Sequence, residues 1–273
     1  VKLLLRHNRE PAMSRFYNAR RSSNKYVPGS PKPFNLSRSK IDLFIDCPRC
    51  FYIDRRLGTG RPPGFPFNLN SAVDTLLKAE FDTHRAAGTQ HPLQAKYGIS
   101  ARPIAHEQLD EWRENFKGVQ FLHRDTNFRV SGAIDDLWLD EDDRFVVVDY
   151  KATSKSAPIT ALDQDWHSGY KRQMEVYQWL LRRNGYEVSP TGYFVYCNGR
   201  ADEAAFDGKL EFDVTLIAYE GDDSWVEPTL GLIHQCLHQD DAPAAGPECD
   251  WCAYYEARGE VIDEPRNRTL PLA

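Results

Sequence analysis

The chain has 273 residues, 41% of them hydrophobic, and a net charge of −6. That length accommodates one large domain or two small ones. No apolar run reaches the ~18 residues a membrane helix needs, and the opening Val-Lys-Leu-Leu-Leu-Arg-His is too short between charges to read as a signal peptide. A soluble, cytoplasmic protein without a membrane partner is expected. Six cysteines in a chain of this size do not resemble a secreted disulfide framework.

Charge is unevenly spread. Residues 1–40 hold ten Lys and Arg (Lys2, Arg6, Arg9, Arg15, Arg20, Arg21, Lys25, Lys32, Arg38, Lys40) against Glu10 alone. Within 1–36, Pro28, Pro31 and Pro33 interrupt any element, so this stretch reads as a basic mobile arm. It could neutralise phosphates or be a solvated tail without a task. A helix follows, with Ser37 or Ser39 as N-cap; it carries Ile41, Leu43, Phe44 and Ile45 and ends near Cys47-Pro48-Arg49-Cys50-Phe51-Tyr52. Leu57 to Phe67, dense in Gly and Pro, is a loop. From Asn68, the residues Ala72, Val73, Leu76, Leu77 and Phe81 make a stripe at helical spacing. Asp74 and Glu80 lie on or beside that stripe, six residues and about 600° apart, hence on different faces. Residues 85–127 carry one weaker helical pattern, around 105–116.

Phe128 to Ala152 reads as a β-hairpin. Two runs rich in β-branched and aromatic residues flank the acidic turn Asp140-Glu141-Asp142-Asp143-Arg144. If the turn centres on Asp142, then Asp135 and Asp149 face each other, with Cβ atoms roughly 4.5–5.5 Å apart. Lys151 projects from the same face as Asp149, because side chains alternate along a strand. Val130, Ile134, Trp138, Val146 and Val148 make the hairpin apolar, and charges buried there need a partner such as a cation. The alternative is a pair of aspartates at frayed strand ends in water, with Lys151 as their surface partner.

Beyond the hairpin, Trp166 to Asn184 is a helix carrying Tyr170, Met174, Tyr177, Leu180 and Leu181, with Gly185 in the left-handed position that ends it. Strands are expected over 191–197 and 210–219 and a helix over 225–238, followed by Cys249-Asp250-Trp251-Cys252 and a polar tail over 261–273. This order fits one α/β domain with a central mixed β-sheet flanked by helices. Gln173 and Tyr177, four residues apart, share a helix face. Two Cys-x-x-Cys pairs, Cys47/Cys50 and Cys249/Cys252, have the spacing that lets two thiolates reach one ion. They could equally be packed thiols.

Gly132-Ala133-Ile134-Asp135-Asp136 followed by Val148-Asp149-Tyr150-Lys151 resembles the metal-binding core of the PD-(D/E)XK nucleases, in the branch of RecB-like exonucleases and CRISPR-associated relatives. Four further features extend the resemblance over residues 37–258. Ser39 to Tyr52 is similar to the family's opening helix with its Cys-Pro-x-x-(Phe/Tyr) end. Asn70 to Asp74 is similar to the first-motif helix, with Asp74 where the family usually has His. Gln173 to Tyr177 matches Gln-x-x-x-Tyr, and Cys249/Cys252 resembles the C-terminal cysteine cluster.

The resemblance implies a restriction-endonuclease-like core over 37–260 that hydrolyses DNA phosphodiesters with Mg²⁺ or Mn²⁺. Asp135 and Asp149 would be metal ligands, joined by the Tyr150 carbonyl and by either Asp74 or Glu80. Lys151 would orient the attacking water, and Asp136 would stand behind the site or at the surface. Gln173 and Tyr177 would touch the DNA backbone or brace the site, with Lys171 and Arg172 contacting phosphates. Helicase or other repair and defence subunits are implied partners. RNA as substrate and a catalytically weak DNA-binding subunit stay open. Iron–sulfur members place one Cys before the core and three after it. Arg258 occupies the last of those positions here and Cys50 makes the set two plus two; four thiolates suit a [4Fe–4S] cluster or Zn²⁺ by softness and number, and the resemblance favours the cluster.

Overall fold

The β-branched segments on either side of the acidic turn become strands, and the turn residues supply the reversal. Asp140 Oδ1 accepts from the backbone N–H of Asp142 at 3.1 Å and of Arg144 at 2.9 Å, while Asp143 takes a left-handed φ of 57°. A computed structural model of the chain describes residues 20–263 except 22, 65 and 158. Its elements are β1 (Phe34–Ser37), α1 (Arg38–Asp46), α2 (Pro48–Tyr52), α3 (Asn68–Ala87), α4 (Pro92–Lys96), β2 (Arg102–Pro103), α5 (Leu109–Trp112), β3 (Val119–His123) and β4 (Phe128–Gly132). They continue as β5 (Asp136–Leu139), β6 (Phe145–Thr153), α6 (Ser168–Arg183), β7 (Thr191–Gly199), β8 (Phe212–Glu220), α7 (Val226–His238) and α8 (Asp250–Asp263). The described residues fall into two compact units, one from 29–42 and 66–235, the other from 20–28, 43–65 and 236–263.

The first unit holds the expected mixed sheet, in the order β2-β5-β6-β7-β8, with β6 and β7 parallel and the other neighbours antiparallel. A second sheet, β1-β4-β3, was not expected. The first hairpin arm, read as one strand from Phe128 to Leu139, is therefore broken: β4 pairs with β1 and β3, β5 with β2 and β6. The break falls after Gly132, where a Cβ would come within 2.6 Å of Tyr177 Cε1 on α6. Only a residue without a side chain lets the helix lie that close.

On one side of the five-stranded sheet, α3 packs against β6 and β2. Leu77 and Phe81, one helical turn apart, enter a core with Trp138, Val148 and Tyr150, and the Phe81 ring stacks on Trp138 with centroids 5.5 Å apart. Helix α6 packs on β3, β4 and β6, burying Met174, Tyr177, Leu180 and Leu181 as its stripe predicts. Gly185 follows at φ 89°, the left-handed stop expected there. The helix sought around 105–116 shrinks to the four residues of α5.

In the second unit, α2 runs on into a π-helical turn, Ile53–Leu57. Tyr52 Oη donates to the carbonyls of Gln239 at 2.8 Å and Asp240 at 3.1 Å. Buried Asp54 pairs with Arg21 and with Arg55, and the Tyr26 N–H donates to the Arg55 carbonyl at 2.7 Å. Much of the stretch read as a mobile arm is thus built in: Tyr26 is buried here, and Phe34 is buried in the strand β1 of the first unit. Residues 1–19, which carry several of the basic residues of that arm, lie outside the described residues, as do 264–273 of the tail.

Candidate active site and cysteine cluster

The hairpin pairs Asp136 with Val148 and Leu139 with Phe145, a ladder centred on Asp142 as the symmetry of the acidic turn predicts, and Asp135 lies in the bend directly before it. Asp149 is 0% exposed, which excludes the frayed-end alternative for it. Burial pushes its carboxyl up to about 7; Lys151 and Arg38 pull it down, and the charge of Asp135 pushes it further up. Asp149 Oδ1 accepts from Gln173 Nε2 at 2.7 Å. Its Oδ2 lies 2.5 Å from Lys151 Nζ as an ion pair, yet no hydrogen-bond donor is aligned with it.

Lys151 Nζ donates to Gln173 Oε1 at 3.1 Å and sits 4.5 Å from the centre of the Tyr170 ring. Gln173 Nε2 also donates to Tyr177 Oη at 2.9 Å. Tyr177 is 3% exposed, so it braces Gln173 instead of reaching a surface. The helical face that presents Gln173 to the hairpin is the face that buries Tyr177.

Asp135 lies just before β5, anchored to the next strand: its Oδ2 accepts from the Tyr150 N–H at 2.9 Å. N–H and C=O of one strand residue face the same edge, so the Tyr150 carbonyl is turned toward Asp135. Asp135 Oδ1 lies 3.4 Å from Lys78 Nζ, which is itself 2.9 Å from Asp74 Oδ2. Partial burial pushes the Asp74 carboxyl up, the negative charge of Asp135 adds to that, and Lys78 opposes it. Asp74, Asp135, Asp149 and Lys151 are thereby linked through Lys78, the Tyr150 backbone and one another. Glu80 is engaged elsewhere, at His91 Nε2, 2.8 Å away. Of the two phosphate candidates, Arg172 is committed to Asp42 at 2.5 Å, and Lys171 sits 5.8 Å from the Tyr219 ring.

A family model described as the PD-(D/E)XK nuclease superfamily matches residues 35–257. The chain belongs to that superfamily. No curated protein matches it significantly. Within this PD-(D/E)XK chain, Asp149-Tyr150-Lys151 lies in β6 and has the (D/E)-x-K form, and Asp135 Oδ2 accepts from its central N–H. Three carboxylates and a carbonyl are hard oxygen donors that suit Mg²⁺ or Mn²⁺. The buried Asp149 Oδ2, lacking a hydrogen-bond donor, is the atom such a cation would satisfy.

Sequence reasoning missed several supports of this site. Asp136, read as a background or surface group, is 0% exposed. Its carboxylate accepts from Arg113 Nη2 at 2.8 Å, Tyr150 Oη at 2.7 Å and Trp138 Nε1 at 3.2 Å, and pairs with Arg85 as well. That network fixes the start of β5, and with it Asp135. Nothing local foretells it, since Arg85 and Arg113 come from distant segments. Lys78 did leave a signal: it lies four residues after Asp74, the spacing of a helical ion pair.

In the second unit, the sulfurs of Cys47, Cys50, Cys249 and Cys252 all lie within 4.8 Å of one another, and all four residues are buried. Cys47 caps α2, with Pro48 in the first turn where its missing N–H is harmless. Cys249 likewise directly precedes α8, so each pair sets one sulfur before a helix and one inside its first turn. Burial opposes ionisation of Cys47, but N–H groups of Gly246 at 3.2 Å and Cys50 at 3.4 Å donate to its sulfur and bring the thiol down to about 6. Arg61 Nη2 lies 3.2 Å from Cys249 Sγ. Burial pushes Cys50 and Cys252 up, with neighbouring thiols adding to the rise at Cys252. Four sulfurs this close resist becoming thiolates together unless a cation joins them, so the cluster is suited to a metal.

Proposed function

We propose that the chain is a divalent-metal-dependent nuclease that hydrolyses DNA phosphodiester bonds, of the RecB-like type, acting on ends or single strands in repair, recombination or defence. The observation that carries this reading is a carboxylate, Asp149, buried completely beside Lys151, with Asp135 bound to the N–H of the intervening Tyr150. Asp135, Asp149, the Tyr150 carbonyl and Asp74 would hold Mg²⁺ or Mn²⁺. When bound, such an ion lowers the pKa of a coordinated water and offsets charge on the phosphate.

The chain's own groups then divide the work. Asp149 and Asp135 would turn their oxygens toward one ion, since β5 and β6 are paired directly beside them. Lys151 orients the attacking water and offsets charge on the phosphate, while Gln173 fixes both Lys151 and Asp149 in position and Tyr177 locks Gln173. Incubation with end-labelled single-stranded DNA, duplex DNA and RNA, with Mg²⁺ or Mn²⁺ against EDTA, tests this. DNA fragments that need the ion support it; RNA cleaved in preference to DNA would overturn the substrate assignment. A second reading, a catalytically weak DNA-binding subunit, draws support from Asp74 where the family commonly has His and from its pairing with Lys78. DNA binding without cleavage in the same assay distinguishes it.

For the cysteines, sulfur spacing supports one Zn²⁺ over a [4Fe–4S] cluster. Zinc–sulfur bonds of about 2.3 Å in a tetrahedron set the sulfurs roughly 3.8 Å apart. A cubane binds each thiolate to a different iron, which spreads them to roughly 6 Å. Cys47–Cys252, Cys50–Cys249 and Cys50–Cys252 are 3.7, 3.6 and 3.6 Å apart.

A further inference from the structure

We infer that Lys78 is an internal counter-cation of the carboxylate site, which a divalent ion must displace to bind. The inference rests on the metal-site reading above and concerns what that reading leaves unexplained, a lysine among the ligand oxygens. Lys78 Nζ is 2.9 Å from Asp74 Oδ2 and 3.4 Å from Asp135 Oδ1. Those carboxylates belong to different elements, α3 and the entry to β5, so the ammonium bridges across the site. Its side chain is 22% exposed, shielded enough for the contacts to matter and open enough to swing out.

The physical consequence is an exchange. Two carboxylates facing one another repel, and the positive end of Lys78 offsets that repulsion while no metal is bound. A divalent ion arriving between Asp74 and Asp135 repels the ammonium and competes for the same oxygens. Ion entry therefore breaks two existing contacts, and the metal affinity of the site is lower than its carboxylates alone would give. The released ammonium, on a flexible four-carbon stem, is then free to take another anionic partner, and a phosphate oxygen is its natural choice. Lys78 thus links ion entry to phosphate binding, each favouring the other.

Lys78→Met tests this without nucleic acid or turnover, by titrating Mn²⁺ and reading the free ion by electron paramagnetic resonance. Lys155→Met, which removes an exposed cation elsewhere, serves as the control for charge alone, and Asp135→Asn locates the bound ion. The expected result is Mn²⁺ binding at least three-fold tighter in Lys78→Met than in the wild type, little changed in Lys155→Met, and lost in Asp135→Asn. Equal or weaker binding in Lys78→Met, with the wild type still binding through Asp135, overturns the role of Lys78 alone. An equal gain in both lysine variants also overturns it, since the effect is then general electrostatics. No Mn²⁺ bound by any form removes the metal site and this inference together. A second arm adds an uncleaved phosphorothioate oligonucleotide: it should tighten Mn²⁺ binding in the wild type and not in Lys78→Met, and the opposite pattern contradicts the exchange.

Discussion

Two fully buried carboxyls, those of Asp149 and Asp136, each carry a consequence at the level of single residues. The first is a pH dependence in the metal-free protein. Folded Asp149 keeps its proton up to about pH 7, whereas an unfolded aspartic acid loses it near about 3.9. Between those values the native state binds more protons, so stability falls as pH rises through that window. Thermal melts in EDTA should show the wild type losing stability between about pH 4 and about pH 7 relative to Asp149→Asn, which cannot ionise. Parallel pH profiles for the two proteins would contradict the assignment. The second concerns Asp136, whose carboxylate joins two arginines, a tyrosine and a tryptophan. Asp136→Asn leaves Arg85 and Arg113 short of their partner, and breaking such a buried pair costs about 3–5 kcal/mol. Chemical denaturation of the variant checks this. A loss below about 1 kcal/mol would show that the network is dispensable.

At the level of elements, α6 and the hairpin are one device, because the helix lies close enough to β4 for Tyr177 to rest where a Gly132 side chain would be. Gly132→Ala should cost about 1–3 kcal/mol by overpacking and displace Tyr177, and a melting temperature equal to that of the wild type would contradict the close approach. Gln173→Ala should leave the fold intact but lower kcat about 10–100-fold, the usual effect of removing a group that orients the reacting ones. KM should change little; a rise in KM with kcat unchanged would instead place Gln173 on the substrate. The hairpin was legible in the sequence because the acidic turn and the β-branched runs on either side of it agree, and its ladder is centred on Asp142 as that turn implies. The break after Gly132 was not, since it depends on a helix some forty residues further on. Nor were β1, β2 and β3, each of five residues or fewer: β1 and β2 owe their existence to partner strands distant in the chain, and β3 pairs with β4 across a four-residue turn. Asp74 against Glu80 could not be decided from helix phase alone, because the decision lies in what each meets, Lys78 and Asp135 for one and His91 for the other.

At the scale of the whole molecule, the proposed account assigns chemistry to the carboxylate site and stability to the cysteine cluster. The cysteine cluster brings together segments about two hundred residues apart in sequence, and an ion bound there would tie them in the folded chain. Metal analysis of anaerobically purified protein should give one zinc per chain and a colourless solution; brown protein with about four irons would reverse the reading of the sulfur spacing. Cys252→Ser should lower the melting temperature and weaken zinc retention while sparing Mn²⁺ binding at Asp135. No helix among the described residues is long and apolar enough to cross a membrane. The central claim is that Asp135, Asp149 and Lys151 act together on a phosphodiester. The most direct measurement is Mn²⁺-dependent cleavage of labelled single-stranded DNA by the wild type and by Lys151→Ala, alongside the DNA affinity of each. Cleavage lost by at least 100-fold in the variant, with affinity within a few-fold of the wild type, is the predicted result. A Lys151→Ala protein that cleaves as fast as the wild type would contradict it.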